Sequence, residues 1–319
     1  DSLQPSKLLS ALSNMQVPGS IIQLCLNFLD GRQQRVRYNA AKSTYIPSRV
    51  GVPQGTLLGP LFWLAFINSY TPDADITMYA DDITCSNPLS TSCDSKLQAT
   101  IDWGLQWSSS NSMKLNLDKT KAMMMTLHPN CRPPHLTFPL EVVDQFKFLG
   151  VYIDKHLSFN PHIEYVTTKA KKRFFSLVQL KKLGVSQDKL SLFYIANIRS
   201  VLVYCIAAIF SLLNDTQLNS LERFQKLCTS IILPHIEHYT DRLEILKIPE
   251  LRTFSKRQYR THFLKIFNDC DHVLFSCIPE RQADGGRRHS SRLKNCYITK
   301  ARTSKRQRSF FHYGLNNFV

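Results

Sequence analysis

In PSKLLSALSNMQVPGSIIQLCLNFLDG, apolar residues recur at helical spacing through Leu8, Leu9 and Leu12; Pro18-Gly19 interrupts, and the pattern resumes from Ile21 to Leu29. The stretch predicts two short helices ended by a turn at Asp30-Gly31. RQQRVRYNAAKSTYIPSRVGVPQG alternates instead, with Arg35 and Arg37 on one side and Val36 and Tyr38 on the other. That period predicts sheet with one wet, cationic face. After the turn residues of GVPQG, TLLGPLFWLAFINSY is apolar nearly all round and predicts a helix buried on most sides. ITMYADDITCS sets two β-favouring runs about a pair of carboxylates, the pattern of a hairpin. Residues 95–108 form an amphipathic helical pattern through Leu97, Ile101, Trp103 and Leu105. MKLNLDKTKAMMMTL then reads as a turn feeding a strand, and FKFLGVYIDKHLSF as a second hairpin.

From Pro161 onward the period is helical, in IEYVTTKAKKRFFSLVQLKKLG, LSLFYIANIRSVLVYCIAAIFSLL and TQLNSLERFQKLCTSIIL. The expected class is α+β, with helices and a mixed sheet in residues 1–155, a helical domain over 156–270 and a basic extension over 271–319. The longest apolar run, VLVYCIAAIFSLL, has 13 residues. A membrane span needs about 20, so a buried core helix and no membrane partner are expected.

Charge divides the chain at nearly the same place. Of 40 Lys and Arg and 24 Asp and Glu, residues 1–159 carry 13 basic and 12 acidic, and residues 160–319 carry 27 and 12. A near-neutral body precedes a cationic one, whose natural partner is a large polyanion, nucleic acid above all. Nine cysteines, an odd number with no Cys-x-x-Cys pair, suit reduced thiols inside a cell better than a secreted disulfide framework. Cys270, His272, Cys277, His289 and Cys296 can be assembled into a metal set on paper, but their spacing matches no regular zinc ribbon or finger.

Asp81 and Asp82 are the chemical question in the sequence. Their charges repel, and the nearest basic residues along the chain are Arg49 and Lys96. On a flat strand adjacent side chains point to opposite faces, whereas at the tip of a tight hairpin both can approach one ligand. A divalent cation would neutralise the pair. Carboxylates with open water positions suit Mg²⁺ bridging to phosphates, and a two-metal site activates the attacking oxygen and stabilises the leaving one.

GVPQGTLLGPLFWLAFIN, then YADD about 20 residues later, then MKLNLDKTK, then FKFLGVYID, resembles the ordered motif series of reverse transcriptases. The likeness is to the non-LTR (LINE-type) retrotransposon group, Jockey-like elements especially. It extends through LFYIANIRSVLVYCIAAIF and LNSLERFQKLC, which are similar to helical thumb-side segments of that family. The resemblance implies a palm followed by a helical thumb. It implies an RNA template, a DNA primer, deoxynucleoside triphosphates and two Mg²⁺ ions, with Mn²⁺ as a substitute. Asp81 and Asp82 would be catalytic and metal-binding. Gln54, Gly55, Tyr79 and Lys119 would contact nucleotide or template, and Gly150 would lie in a primer-grip hairpin. An intracellular setting, in the nucleus or a cytoplasmic ribonucleoprotein, is implied by the same likeness. No protein partner is implied.

DSLQPSKLLSAL resembles the stretch that begins at the last Asp of the family's D-x-x-K-A-F-D segment and continues past it. Asp1 would then stand six residues after the first metal-binding aspartate, which this chain would lack. That expectation supports an alternative: a non-catalytic nucleic-acid-binding relic that keeps the fold without the chemistry. Lys169, Lys171, Lys172 and Arg173 would neutralise phosphates, as would residues 281–308, with ten basic residues against Asp284 alone. Phe310, Phe311 and Tyr313 would stack on bases.

Overall fold

The computed structural model describes residues 2–87, 94–125, 140–278 and 304–318. The chain divides into two compact units, Asp1–Ala122 with Asn130–Val142, and Met123–Pro129 with Val143–Val319. Both mix helix with short sheet, as an α+β chain should.

In the first unit α1 (Pro5–Asn14) and α2 (Gly19–Leu29) fall where the apolar period put them, α1 opening on a proline whose missing N–H costs nothing there. Leu8, Leu12 and Leu29 meet Phe62 and Phe66 of α3 (Leu58–Ile67) in a small core. Strands β1 (Gln33–Gln34), β2 (Arg37–Tyr38), β3 (Ala41–Lys42) and β4 (Ile46–Pro47) pair antiparallel as β1–β4 and β2–β3. The predicted one-sided burial fails here. Val36 is 72% exposed and Tyr38 77%, so the apolar side is as wet as the cationic one. The Arg35 guanidinium lies over the Tyr45 ring at 4.5 Å. Strands β5 (Asp75–Tyr79) and β6 (Asp82–Ser86) form the aspartate hairpin, and α4 (Asp94–Ser110) comes next. β7 (Lys121–Ala122) and β8 (Glu141–Val142) pair in parallel. Among the described residues the strands join only two by two, in place of one mixed sheet.

The second unit begins with β9 (Gln145–Phe148) and β10 (Val151–Asp154), the FKFLGVYID hairpin, which the sequence grouped with the residues before it. Asp154 then turns the chain, its carboxylate accepting from the amides of His156, Ser158 and Phe159. These amides stand in the turn just before α5 (Asn160–Lys182). One face of α5 buries Ile163, Val166, Ala170 and Leu177. Beyond it come α6 (Gln187–Phe193), a π-helical turn (Tyr194–Arg199), α7 (Ser200–Leu202) and α8 (Ile206–Ile209). Gln187–Leu212 is long and apolar enough to cross a membrane by length and composition. Here it is broken at Val203–Cys205 and supplies Leu190, Tyr194, Ile198, Leu202 and Ile206 to the core.

α9 (Asp215–Ile232) starts with a reciprocal cap between Asn214 and Gln217, and the Gln217 amide also donates to the Ser158 carbonyl at 2.7 Å. Glu222 accepts from the amides of Leu251 and Arg252 at the start of α11 (Leu251–Phe267), and Gln225 links Tyr194, the Tyr239 hydroxyl and the Pro249 carbonyl. Tyr239 opens α10 (Tyr239–Leu246). Burial pushes the Cys228 thiol up to about 12, so it is an inert core residue.

After α12 (Ser304–Gln307), α13 (Phe310–Phe318) packs back onto α11. The Tyr259 ring lies 4.7 Å from Phe310 and 5.3 Å from Tyr313, and its hydroxyl donates to the Phe310 carbonyl. The aromatic residues expected to stack on bases are spent on this core. Residues 281–303 of the basic extension lie outside the described residues.

This packing can be tested at two positions. A Cβ at residue 314 would overlap the Phe263 ring, so Gly314→Ala should cost about 1–3 kcal/mol by overpacking, read from denaturant midpoints; an unchanged midpoint would show that α13 does not dock. His162 is 1% exposed, and its Nδ1 accepts from the Tyr152 amide. Burial holds its imidazole below the ordinary value of 6.5, against a weaker opposite pull from a backbone hydrogen bond to Tyr204. The unfolded chain therefore binds the extra proton first, and stability present above the ordinary value is lost as pH falls through it. Thermal midpoints taken between about pH 7 and pH 5 should decline less in His162→Gln than in the wild type.

Candidate active site

The aspartate hairpin is built from its turn outward. Tyr79 pairs with Asp82, leaving Ala80 and Asp81 as a two-residue connection. Only Ala80 of the two has positive φ, at 54°, the φ signature of a type II′ turn. Glycine is the usual occupant of that position, and an L-residue there is strained. A hydrogen bond from α3 offsets the strain: Trp63 Nε1 donates to the Ala80 carbonyl at 2.8 Å. A tryptophan in an otherwise apolar helix still needs an acceptor for its N–H. That need is the signal, visible in LFWLAF, that would have singled out Trp63.

Below the turn the hairpin is seated on aromatics. Ile76, Ile83 and Cys85 are partly covered, whereas Thr77, Met78 and Tyr79 are exposed. Cys85 lies against the Tyr70 hydroxyl, and the Tyr70 ring meets Trp103 at 4.8 Å and Trp107 at 5.2 Å, both edge-on. Burial, with Cys85 beside it, pushes the Tyr70 phenol well above its usual range. Burial likewise raises the Cys85 thiol, against the Tyr70 hydrogen bond. Both groups stay neutral and serve as packing.

Asp81 and Asp82 are thus exposed together at a pinned tip. Tyr79 is beside them and 66% exposed, so core packing does not account for it. Gln54 and Gly55 are exposed in the loop that leads into α3, the helix that holds the turn. The loop depends on Gly59, which the sequence did not single out: a Cβ there would lie 2.9 Å from the Pro53 carbonyl. Thr56 Oγ1 donates to that carbonyl at 2.8 Å and accepts from the Gly59 amide. Lys119 is exposed on a turn where its amide donates to the Asn116 side chain. Lys121 is committed to an ion pair with Glu141. Gly150, at φ 86°, forms the other hairpin's turn with Leu149 at 46°.

As oxygen donors open to solvent, Asp81 and Asp82 fit a Mg²⁺ ion that keeps several of its waters. Among the described residues no group of three or more His, Cys, Asp or Glu side chains converges. Asp1, His289 and Cys296 lie outside the described residues, and the His272 ring accepts from the Leu274 amide. Trp63→Phe should free the turn carbonyl at a cost of about 1 kcal/mol. Hydrogen exchange of the Ala80–Asp82 amides should then quicken roughly fivefold; unchanged exchange would show that Trp63 does not hold the turn.

Residues 1–153 match the family model described as reverse transcriptase (RNA-dependent DNA polymerase). The chain is 26% identical over 197 residues to a probable RNA-directed DNA polymerase from transposon X-element of Drosophila melanogaster, covering 56% of this chain and 21% of that protein. It is 30% identical over 204 residues to the probable RNA-directed DNA polymerase from transposon BS of the same species, 58% of this chain and 21% of the relative. With the RNA-directed DNA polymerase from mobile element jockey, also of Drosophila melanogaster, it shares 28% identity over 205 residues, 59% and 22% of the two chains. The chain therefore spans about a fifth of the length of the curated relatives it matches. Over residues 1–153 the chain is similar to the reverse transcriptase family, and these likenesses are to polymerases of Jockey-like non-LTR retrotransposons.

Proposed function

We propose that the chain is part of an RNA-directed DNA polymerase of a non-LTR retrotransposon, with the first unit acting as palm and the second as thumb. The observation that carries this is the pair of exposed carboxylates at a turn fixed by Trp63. Asp81 and Asp82 would hold Mg²⁺, or Mn²⁺ in its place. The metal supplies charge neutralisation at the attacking and leaving oxygens of an in-line displacement. The protein's part is to place that charge. The stiff turn keeps both carboxylates facing solvent, and Tyr79 offers a flat ring beside them. Gln54 supplies an amide and Gly55 leaves open space, with nothing within 4 Å of where its Cβ would stand. Lys119 offers a cation for a departing phosphate. Template RNA and primer DNA would lie against the basic helical unit, mainly through their backbones.

A second reading is a nucleic-acid-binding protein without the chemistry. It is favoured by the lack, among the described residues, of a third acid grouped with the pair.

Primer extension on an RNA template with Mg²⁺ separates them. Under the polymerase reading, incorporation by the wild-type chain falls roughly a hundredfold or more in Asp81→Ala, since several kcal/mol of charge stabilisation are withdrawn. Incorporation untouched by that substitution would overturn the assignment. No incorporation by either chain, together with salt-sensitive duplex binding, would establish the second reading.

A further inference from the structure

Trp63 ties the aspartate turn at one point, and a two-stranded ribbon held at one point can still swing about it. Among the described residues neither β5 nor β6 pairs with a further strand. The tilt of the ribbon is therefore set from its covered face, where Tyr70 meets Cys85.

Tyr70 follows α3 by a short turn, its amide donating to the Ile67 carbonyl at 2.9 Å, and it is 7% exposed. Its hydroxyl lies 4.0 Å from Cys85 Sγ, within hydrogen-bond reach of a sulfur. The same hydroxyl faces α4 at Gly104, where a Cβ would stand 3.0 Å from it and 4.0 Å from the ring carbon Cζ. Glycine weakens a helix interior relative to alanine, and here it makes a notch that admits the phenol. Trp103 and Trp107, on the same helix, meet the Tyr70 ring edge-on.

Tyr70 is in turn joined to Trp63 by packing. The Trp107 ring lies 5.2 Å from Tyr70 and 5.4 Å from Phe66, and Phe66 lies 5.8 Å from Trp63. Trp107 Nε1 donates to Ser69 Oγ at 3.1 Å, and that hydroxyl donates to the Phe66 carbonyl at 2.8 Å. One aromatic row thus touches the hairpin twice, at the Ala80 carbonyl and at Cys85, which shares β6 with Asp82. Two contacts fix a direction where one fixes only a point.

We propose that Tyr70, set in the Gly104 notch, is a positioning residue for Asp81 and Asp82. Through Cys85 it fixes the tilt of the hairpin, and together with Trp63 it fixes where the carboxylates stand, a role in catalysis that rests on the polymerase assignment.

Hydrogen exchange and tryptophan emission of the full 319-residue chain test it without substrate; Trp63, Trp103 and Trp107 are its 3 tryptophans, so emission reports this row alone. Gly104→Ala drives a methyl against the Tyr70 hydroxyl. The Ala80–Asp82 amides should then exchange about threefold faster and the emission maximum should move. In primer extension kcat should fall about three- to tenfold while the nucleotide KM stays within about twofold. Gly104→Ala/Tyr70→Phe removes the hydroxyl too and leaves Cζ at 4.0 Å, an ordinary contact, so exchange and kcat should return most of the way to wild type. General loosening of the fold would not be repaired by deleting a second group. Cys85→Ala, which empties the contact from the strand side, should quicken the same amides about twofold, and it serves if Gly104→Ala does not fold. Turn exchange unchanged in Gly104→Ala and Cys85→Ala, or a double variant no better than Gly104→Ala, would overturn the anchor and leave Asp81-dependent incorporation, and so the polymerase assignment, standing. Exchange that follows the Gly104–Tyr70 pair in a chain that incorporates nothing would support the anchor and overturn the assignment.

Discussion

Backbone groups withdrawn from water must find partners, and at the junctions of this chain side chains supply them. Trp63 holds the Ala80 carbonyl and Tyr204 the Leu149 carbonyl, so the turns of the β5–β6 and β9–β10 hairpins are each tied to a helix or its flank by one aromatic donor. Asp154 collects three amides ahead of α5, Glu222 two at the start of α11, and Gln217 closes the start of α9 onto Ser158. With strands of two to five residues, ladder hydrogen bonds alone would not set these angles. The side-chain ties do, and the aspartate turn inherits its geometry from one of them.

Adjacent carboxylates at a tight turn call for a cation, because repulsion at that separation disfavours the doubly ionised pair unless positive charge is near. Asp81 and Asp82 are both exposed, which suits a partner that arrives from solution. The charges in the interior are treated differently: Arg199 is buried against the Phe254 ring at 4.5 Å and donates to the Pro249 carbonyl, an internal brace.

How legible the molecule was varied with the kind of signal. Helix period in SKLLSAL and in the Ile163, Val166, Ala170, Leu177 row reports its own burial, because a 3.6-residue stripe has one stable use. Alternation in RQQRVRY reported nothing of the kind, since a two-residue ladder without a covering layer leaves Val36 and Tyr38 wet. The terminal aromatics looked like stacking residues because their spacing is silent about Tyr259 and Phe263, some fifty residues earlier. Trp63 and Tyr204 were overlooked for the same reason: what each holds is distant in sequence.

By itself the sequence determined the α+β class, the carboxylate pair on a hairpin, the helical second half with its positive charge, and the likeness to reverse transcriptases. These are local patterns, legible because period, turn chemistry and ordered motifs do not depend on what lies across the fold. The tertiary structure alone decided which helix pins the aspartate turn, that the FKFLGVYID hairpin sits with the helices, that α13 belongs to the core, and that Lys147 meets Tyr165. The contacts behind these join residues 17 to 51 positions apart, where packing and hydrogen-bond satisfaction, and not chain proximity, choose the partner.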